Sequence, residues 1–159
     1  MTTVIACRPL RSMIADTNIS HVDGRFKSRK KIRKVGPYLV GLAGDFSHAL
    51  RYVDTFVEAA KDMDGSTVPT LAAMDGEFEI LVLSDHGMWL YGDDGTPIEV
   101  EEQWYAIGTG AVAARACLMT QERAGMAHDL TMALEIACEN DDGSRLPAVE
   151  MKLPKKKKA

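Results

Sequence analysis

Helical periodicity is missing from the start of the chain and sets in abruptly at Phe46. From there Phe46, Ala49, Leu50, Val53, Phe56, Val57 and Ala60 recur on one face, so a helix is expected from Phe46 to Met63. Everything before it reads as strand and turn. Residues 2–8 alternate loosely and are rich in Val and Ile, residues 11–16 form a second strand, and "RP" at 8–9 lies in the turn between them. "VDG" at 22–24 is a turn, and strands over 26–35 and 38–43 are split by "GP" at 36–37. After the helix, "DGSTVPTLAAMDG" is a loop with room for one short turn. "FEILVL" and "MWLY" pair across "SDHG", "DDGTP" turns, and "WYAIG" is a strand. Residues 111–123 and 128–139 are helices and "AVEMKL" is a last strand. Strands, one helix, strands, then two helices give an α+β chain whose helices cover sheet faces.

Size and charge narrow the choice of function. The 159 residues suffice for one domain with a full core, expected over 1–153, with 154–159 as a lysine-rich tail. Net charge is −4, but removing Lys155 to Lys158 from the 19 basic residues leaves 15 against 23 acidic ones, a balance of −8. An acidic body argues against nucleic acid as a partner, and the tail reads as a solvated end. Cys7, Cys117 and Cys138 are odd in number, widely spaced and set among apolar neighbours, as reduced core residues are. No charged leader and no apolar run of membrane-spanning length is present, so a cytoplasmic protein is expected. His21, His48, His86 and His128 are scattered without ligand spacing, and Asp93, Asp94 and Gly95 make a turn. No metal and no cofactor is expected.

Three stretches carry candidate chemistry. "GTGAVA" has glycines in the dinucleotide-binding pattern, but late in the chain and with helix following helix, so a Rossmann site is not supported. Seven of the ten residues from Arg25 to Lys34 are basic. Strand alternation would put Lys27, Arg29, Lys31 and Arg33 on one face and Phe26 and Ile32 on the other. That is either a solvated or nucleic-acid-facing edge strand or one lining a cleft with a lysine turned inward. The opening "MTTVIACRPLRSMIADT" places Thr2 directly behind the initiator methionine. A threonine hydroxyl is a poor nucleophile without a base, and its own α-amine becomes that base once Met1 is removed.

In chain order, "TTVIACR", "IADTNIS", "KKIRKV", "GLAGDFSHAL" and "AIGTGAVAA" together resemble the motifs of the proteasome β-type N-terminal-nucleophile hydrolases, most closely the bacterial HslV-type peptidase. The resemblance runs over residues 2–63 and 78–151. It implies a four-layer αββα sandwich, two antiparallel sheets between helical layers, and threonine-type hydrolysis of peptide bonds inside a homo-oligomeric ring fed with unfolded chains by an ATP-dependent unfoldase. By position it implies Thr2 as nucleophile, Asp16 and Lys31 as a pair beside it, and Gly44 as oxyanion donor. Thr109, Asp141 and Ser144 would support the terminal amine, with Asp142 as the alternative to Asp141. Ser20 would bond substrate backbone, and Ile19, Arg29, Leu42 and Phe46 would shape the pocket for the residue before the cut. Lys31 as an ammonium would lower the proton affinity of the amine and the hydroxyl. One departure stands out: the family's long second helix is shortened or lost here, because proline and glycine-containing turns fill 64–76. A non-catalytic scaffold subunit of the same fold, a hydrolase of small amides and a lysine-rich binding module are the rival readings.

Overall fold

The computed structural model describes residues 2–155. Met1 and residues 156–159, on which the readings of methionine removal and most of the lysine tail fall, lie outside the described residues. The elements in order are β1 (Val4–Cys7), β2 (Ser12–Asp16), β3 (Asn18–His21), β4 (Gly24–Lys27), β5 (Ile32–Val35), β6 (Tyr38–Gly44), α1 (Phe46–Ala59), β7 (Phe78–Leu83), β8 (Met88–Tyr91), β9 (Ile98–Glu99), β10 (Trp104–Ile107), α2 (Ala111–Arg123), α3 (Leu130–Asn140) and β11 (Ala148–Lys152).

Two antiparallel sheets face each other. One has the order β10-β1-β2-β11, the other β5-β6-β7-β8-β9, while β3 and β4 pair alone as a ribbon. The reason for layering is visible in β1, where all four residues are buried. Val4 and Ala6 point between the sheets, with Met13, Leu39, Leu81 and Leu83. Ile5 and Cys7 point the other way, onto α2 and α3 through Ala114, Leu118 and Leu134. A strand without a wet face needs cover on both sides. The second sheet does the same: Val40, Leu42, Ile80 and Val82 pack under Ala49, Val53 and Phe56 of α1. The result is the αββα sandwich. The sheets touch at Gly41, where an added Cβ would fall 2.6 Å from Val4 Cγ1 and 2.7 Å from Met13 Sδ.

Two segments depart from the sequence reading. The basic strand over 26–35 is broken: β4 ends at Lys27 and β5 starts at Ile32. Ser28 N–H donates to the Thr17 carbonyl (2.7 Å), and Ser28 Oγ accepts from Lys30 N–H (3.2 Å). That bend interrupts the alternation, so neighbours Lys31 and Ile32 are both buried. The added strand β3 returns along β4 through Val22 and Asp23.

No helix forms between Ala60 and Glu77. This stretch is a strap over the second sheet, held by side chains of the strands beneath it. Tyr38 Oη donates to Thr67 O (2.5 Å), Tyr91 Oη to Pro69 O (2.8 Å) and Ser84 Oγ to Gly65 O (2.6 Å), with Leu71 buried between them. Without the repeating bonds of a helix, the strap draws hydrogen-bond partners from the sheet.

Candidate active site

Thr2 and Thr3 lead into β1, both buried, with Thr2 only 4% exposed. Thr3 binds β2 at its far end: its N–H donates to Asp16 Oδ1 (2.9 Å), and Asp16 N–H donates to the Thr3 carbonyl (3.2 Å). The bend before β5 swings Lys31 to the same point. Its Nζ donates to Asp16 Oδ1 (2.8 Å) and to the Asn18 carbonyl, and neither side chain of the pair has any exposed surface. Asp16 Oδ2 takes two further donors, the N–H groups of Asn18 (3.0 Å) and Arg145 (3.2 Å). Burial pushes the Lys31 ammonium below the ordinary lysine value, against the pull of Asp16.

A second set of polar groups meets Thr2 from the helical side. Thr2 N donates to Thr109 Oγ1 (3.3 Å), and the Thr109 hydroxyl donates to Asp141 Oδ2 (2.7 Å). Ser144 Oγ donates to the same oxygen (2.6 Å), so its own oxygen is left to accept from Thr3 Oγ1 (2.7 Å). Gly143 N–H donates to Asp141 Oδ1 (3.3 Å). Burial raises the Asp141 carboxyl, but the Ser144, Thr109 and Gly143 donors outweigh it and hold the group below its usual value. The D-x-x-S spacing after α3 works because the chain closes a turn there, Ser144 N–H to Asp141 O (3.1 Å). Asp142, one residue on, is exposed.

Gly108 brings backbone close to Thr2, and Gly44 lines both clefts with it. Gly108 has φ +90°, and a Cβ there would run into the Thr2 carbonyl oxygen. Gly44 ends β6 at φ +92°, and a Cβ there would run into the Glu77 carbonyl. Only glycine fits both positions without strain. Asp45 follows as the cap of α1, its side chain accepting from Ser47 and His48 N–H (3.0 and 3.1 Å).

Thr2 lines two adjoining clefts. One, of about 440 Å³, is bounded by Ile19, Ser20, Val22, Phe26, Gly44 and Phe46, among others. The other, of about 380 Å³, is bounded by Gly44, Glu77, Phe78, Glu79, Gly108 and Thr109. Thus Thr2, Asp16, Lys31, Gly44, Thr109, Asp141 and Ser144 come together, and Ile19, Ser20 and Phe46 join them at the first cleft. Arg29 and Leu42 do not. Arg29 lines a separate surface cavity with Lys30, Arg33 and Lys34, and Leu42 is sealed beneath α1. Thr3, Asn18 and Glu79 belong to the neighbourhood and were not singled out from sequence. For Glu79 a signal existed: in "FEILVL" it shares the inter-sheet face with Leu81 and Leu83, where a carboxylate is out of place.

A carboxylate–ammonium pair holding Thr3 and a hydroxyl–carboxylate relay at Thr2 N can keep a charged or nucleophilic terminus in one orientation. Among the described residues, no group of three or more His, Cys, Asp or Glu could hold a metal ion, and no helix is long and apolar enough to cross a membrane.

No family model and no curated protein matches the sequence. Solved structures do match the fold. The HslV of Trypanosoma brucei superposes with a TM-score of 0.73 at 19% identity, covering 94% of this chain and 98% of that one. BPH of Thiobacillus denitrificans gives 0.69 at 20% identity, covering 98% and 100%. The same protein in complex with epoxomicin gives 0.68 at 20%, covering 96% and 100%. With nearly full coverage in both directions, this chain has the proteasome-like fold of the HslV and BPH structures.

Proposed function

We propose that the protein is a threonine peptidase that hydrolyses peptide bonds with Thr2, made N-terminal by removal of Met1. The observation that carries the reading is the meeting of two polar systems at adjacent residues. Thr2 N bonds Thr109 within the Asp141–Ser144 network, while the next residue, Thr3, bonds the Asp16 carboxylate of the buried Lys31 pair.

In this reading the freed Thr2 amine takes the proton of its own hydroxyl, directly or through water, as the oxygen attacks the scissile carbonyl. The Lys31 ammonium, a like charge, disfavours protonation of the amine and so keeps it available as a base. The Gly44 N–H stabilises the oxyanion. The C–N bond then breaks, the amine passes its proton to the departing nitrogen, and an ester on Thr2 remains. Water, deprotonated by the same amine, cleaves that ester and restores the hydroxyl. Ser20 bonds the substrate backbone, and Ile19 and Phe46 face the residue before the cut. Domain limits of 1–153, a cytoplasmic setting, a closed homo-oligomeric ring and an ATP-dependent unfoldase that delivers unfolded chains complete the proposal.

An epoxyketone such as epoxomicin tests it. A terminal threonine reacts through both oxygen and nitrogen and closes a ring that an internal threonine cannot form. Intact mass should show loss of Met1 and one adduct, mapped to Thr2, and Thr2→Ala should abolish labelling and peptide hydrolysis. An active preparation that keeps Met1, or an adduct elsewhere, refutes the assignment. A labelled protein that cleaves small amides but no peptide of several residues would identify the small-amide hydrolase instead. An unlabelled, inactive ring component would identify the scaffold.

A further inference from the structure

The two clefts that meet at Thr2 differ in chemistry. The first is mixed: Ile19, Val22, Phe26 and Phe46 line it beside Ser20, His21 and Ser47, and its one carboxylate, Asp45, is occupied in capping α1. The second has two carboxylates, Glu77 and Glu79, and no lysine or arginine among its lining residues. Among the described residues neither glutamate forms an ion pair. Glu79 is held in place as well. It stands on the inter-sheet face of β7 at the open end of the sandwich, paired across from Ala43, and its Oε2 accepts from Gly108 N–H (3.2 Å).

The direction of proton transfer decides which half of the substrate meets these carboxylates. The nitrogen that leaves must receive a proton from Thr2 N. Thr2 N is bonded to Thr109, which lines the second cleft and not the first. The departing fragment therefore leaves through the Glu77–Glu79 cleft, and the acyl fragment lies along the first.

Resting on Thr2 as the nucleophile, we propose that Glu79, assisted by Glu77, selects a cationic side chain, lysine or arginine, directly after the scissile bond. A lysine there meets two unpaired carboxylates, whereas a glutamate meets like charge and must desolvate against it. For charges at a wet cleft this separates the two substrates by about tenfold, and salt should weaken the effect.

Three internally quenched peptides, identical except for Lys, Gln or Glu after the cut, test this, with cut sites mapped by mass spectrometry. Wild type should show kcat/KM in the order Lys, Gln, Glu, with about tenfold between the extremes. Glu79→Gln keeps an oxygen for Gly108 N–H and removes only the charge. With Glu77→Gln added, the Lys-to-Glu ratio should collapse to within about twofold, and Glu79→Lys should invert it. Ratios are taken within each variant, so changes in overall activity cancel. Equal wild-type rates on all three peptides, with epoxyketone labelling of Thr2 intact, overturn the selectivity and leave the peptidase standing. No cleavage and no labelling overturn both.

Discussion

Replacing Lys31 by Met removes the charge at nearly constant volume, and the structure sets the size of two effects. The first is on stability. Removing one partner of a buried ion pair costs about 3–5 kcal/mol because the other charge is left uncompensated. Here Asp16 keeps three backbone donors, from Thr3, Asn18 and Arg145. The loss should therefore fall at the low end, about 3 kcal/mol, which for a chain of this length lowers Tm by roughly 6–12 °C. Urea titration followed by the fluorescence of Trp89 and Trp104 reads it. The second effect is on turnover: loss of the ammonium beside the amine and hydroxyl should cost about 100- to 10,000-fold in kcat. The double variant with Asp16→Asn separates the two. It removes the orphaned charge and should regain part of the stability, the remainder staying lost because the new amide nitrogen cannot accept from the backbone N–H it faces, while activity stays lost. Lys30→Ala, on the exposed side of the bend, is the control for both. A folded Lys31→Met protein with near-normal turnover would refute the electrostatic role, and an additive double variant would refute the account of its stability.

Further outcomes follow from other contacts. Asp141 is held below its usual value when folded, so its stabilisation is complete above the unfolded value of roughly 3.9 and is lost as pH falls through the lower folded value. The stability advantage of wild type over Asp141→Asn should accordingly shrink below about pH 4 in acid-unfolding curves. Gly44→Ala forces a Cβ against the Glu77 carbonyl at φ +92°. It should cost about 1–3 kcal/mol in urea unfolding and remove most peptide hydrolysis, whereas Gly36→Ala, where a Cβ meets nothing within 4 Å, should cost only backbone strain and leave activity measurable. Tyr91→Phe strips the Pro69 carbonyl of its donor and should destabilise by about 1–3 kcal/mol, with faster limited proteolysis confined to residues 64–76.

The α+β order was legible because the helix from Phe46 carries clear periodicity and turn residues punctuate the strands, whereas the four-layer stacking came from the resemblance. The turn at "GP" and the helix from Phe46 needed only local rules. The bend at Ser28 was not legible: it is made by the Thr17 carbonyl, a contact across eleven residues, and nothing in "KSRKK" announces it. Alternation along an unbroken strand would have given Lys31 the company of Arg29 and Arg33, yet Arg29 and Arg33 face a surface cavity while Lys31 is sealed against Asp16. The composition gave the anomaly, and the resemblance supplied the particular lysine. Thr3 and Asn18 escaped notice because the fold brings their partners, Asp16 and Ser144 for Thr3 and Lys31 and Gly143 for Asn18, from elsewhere in the chain. Arg29 and Leu42 were placed at the first cleft by position in a motif, and position alone does not carry the local path of the chain.

Gly41 has a consequence for rate. The groups around Thr2 come from opposite sheets: Thr2 and Thr109 adjoin β1 and β10, whereas Lys31 and Gly44 adjoin β5 and end β6. Their spacing is therefore the spacing of the sheets, fixed where Val4 and Met13 close over Gly41, three residues along the strand from Gly44. Core volume acts here as a dial on reacting geometry. A methyl group added at Gly41, or taken from Val4, opens or closes the gap between nucleophile and oxyanion donor without touching either, and misplacement on the scale of 1 Å costs about a hundredfold. Turnover should then report the thickness of the inter-sheet layer well before any loss of folded protein is seen.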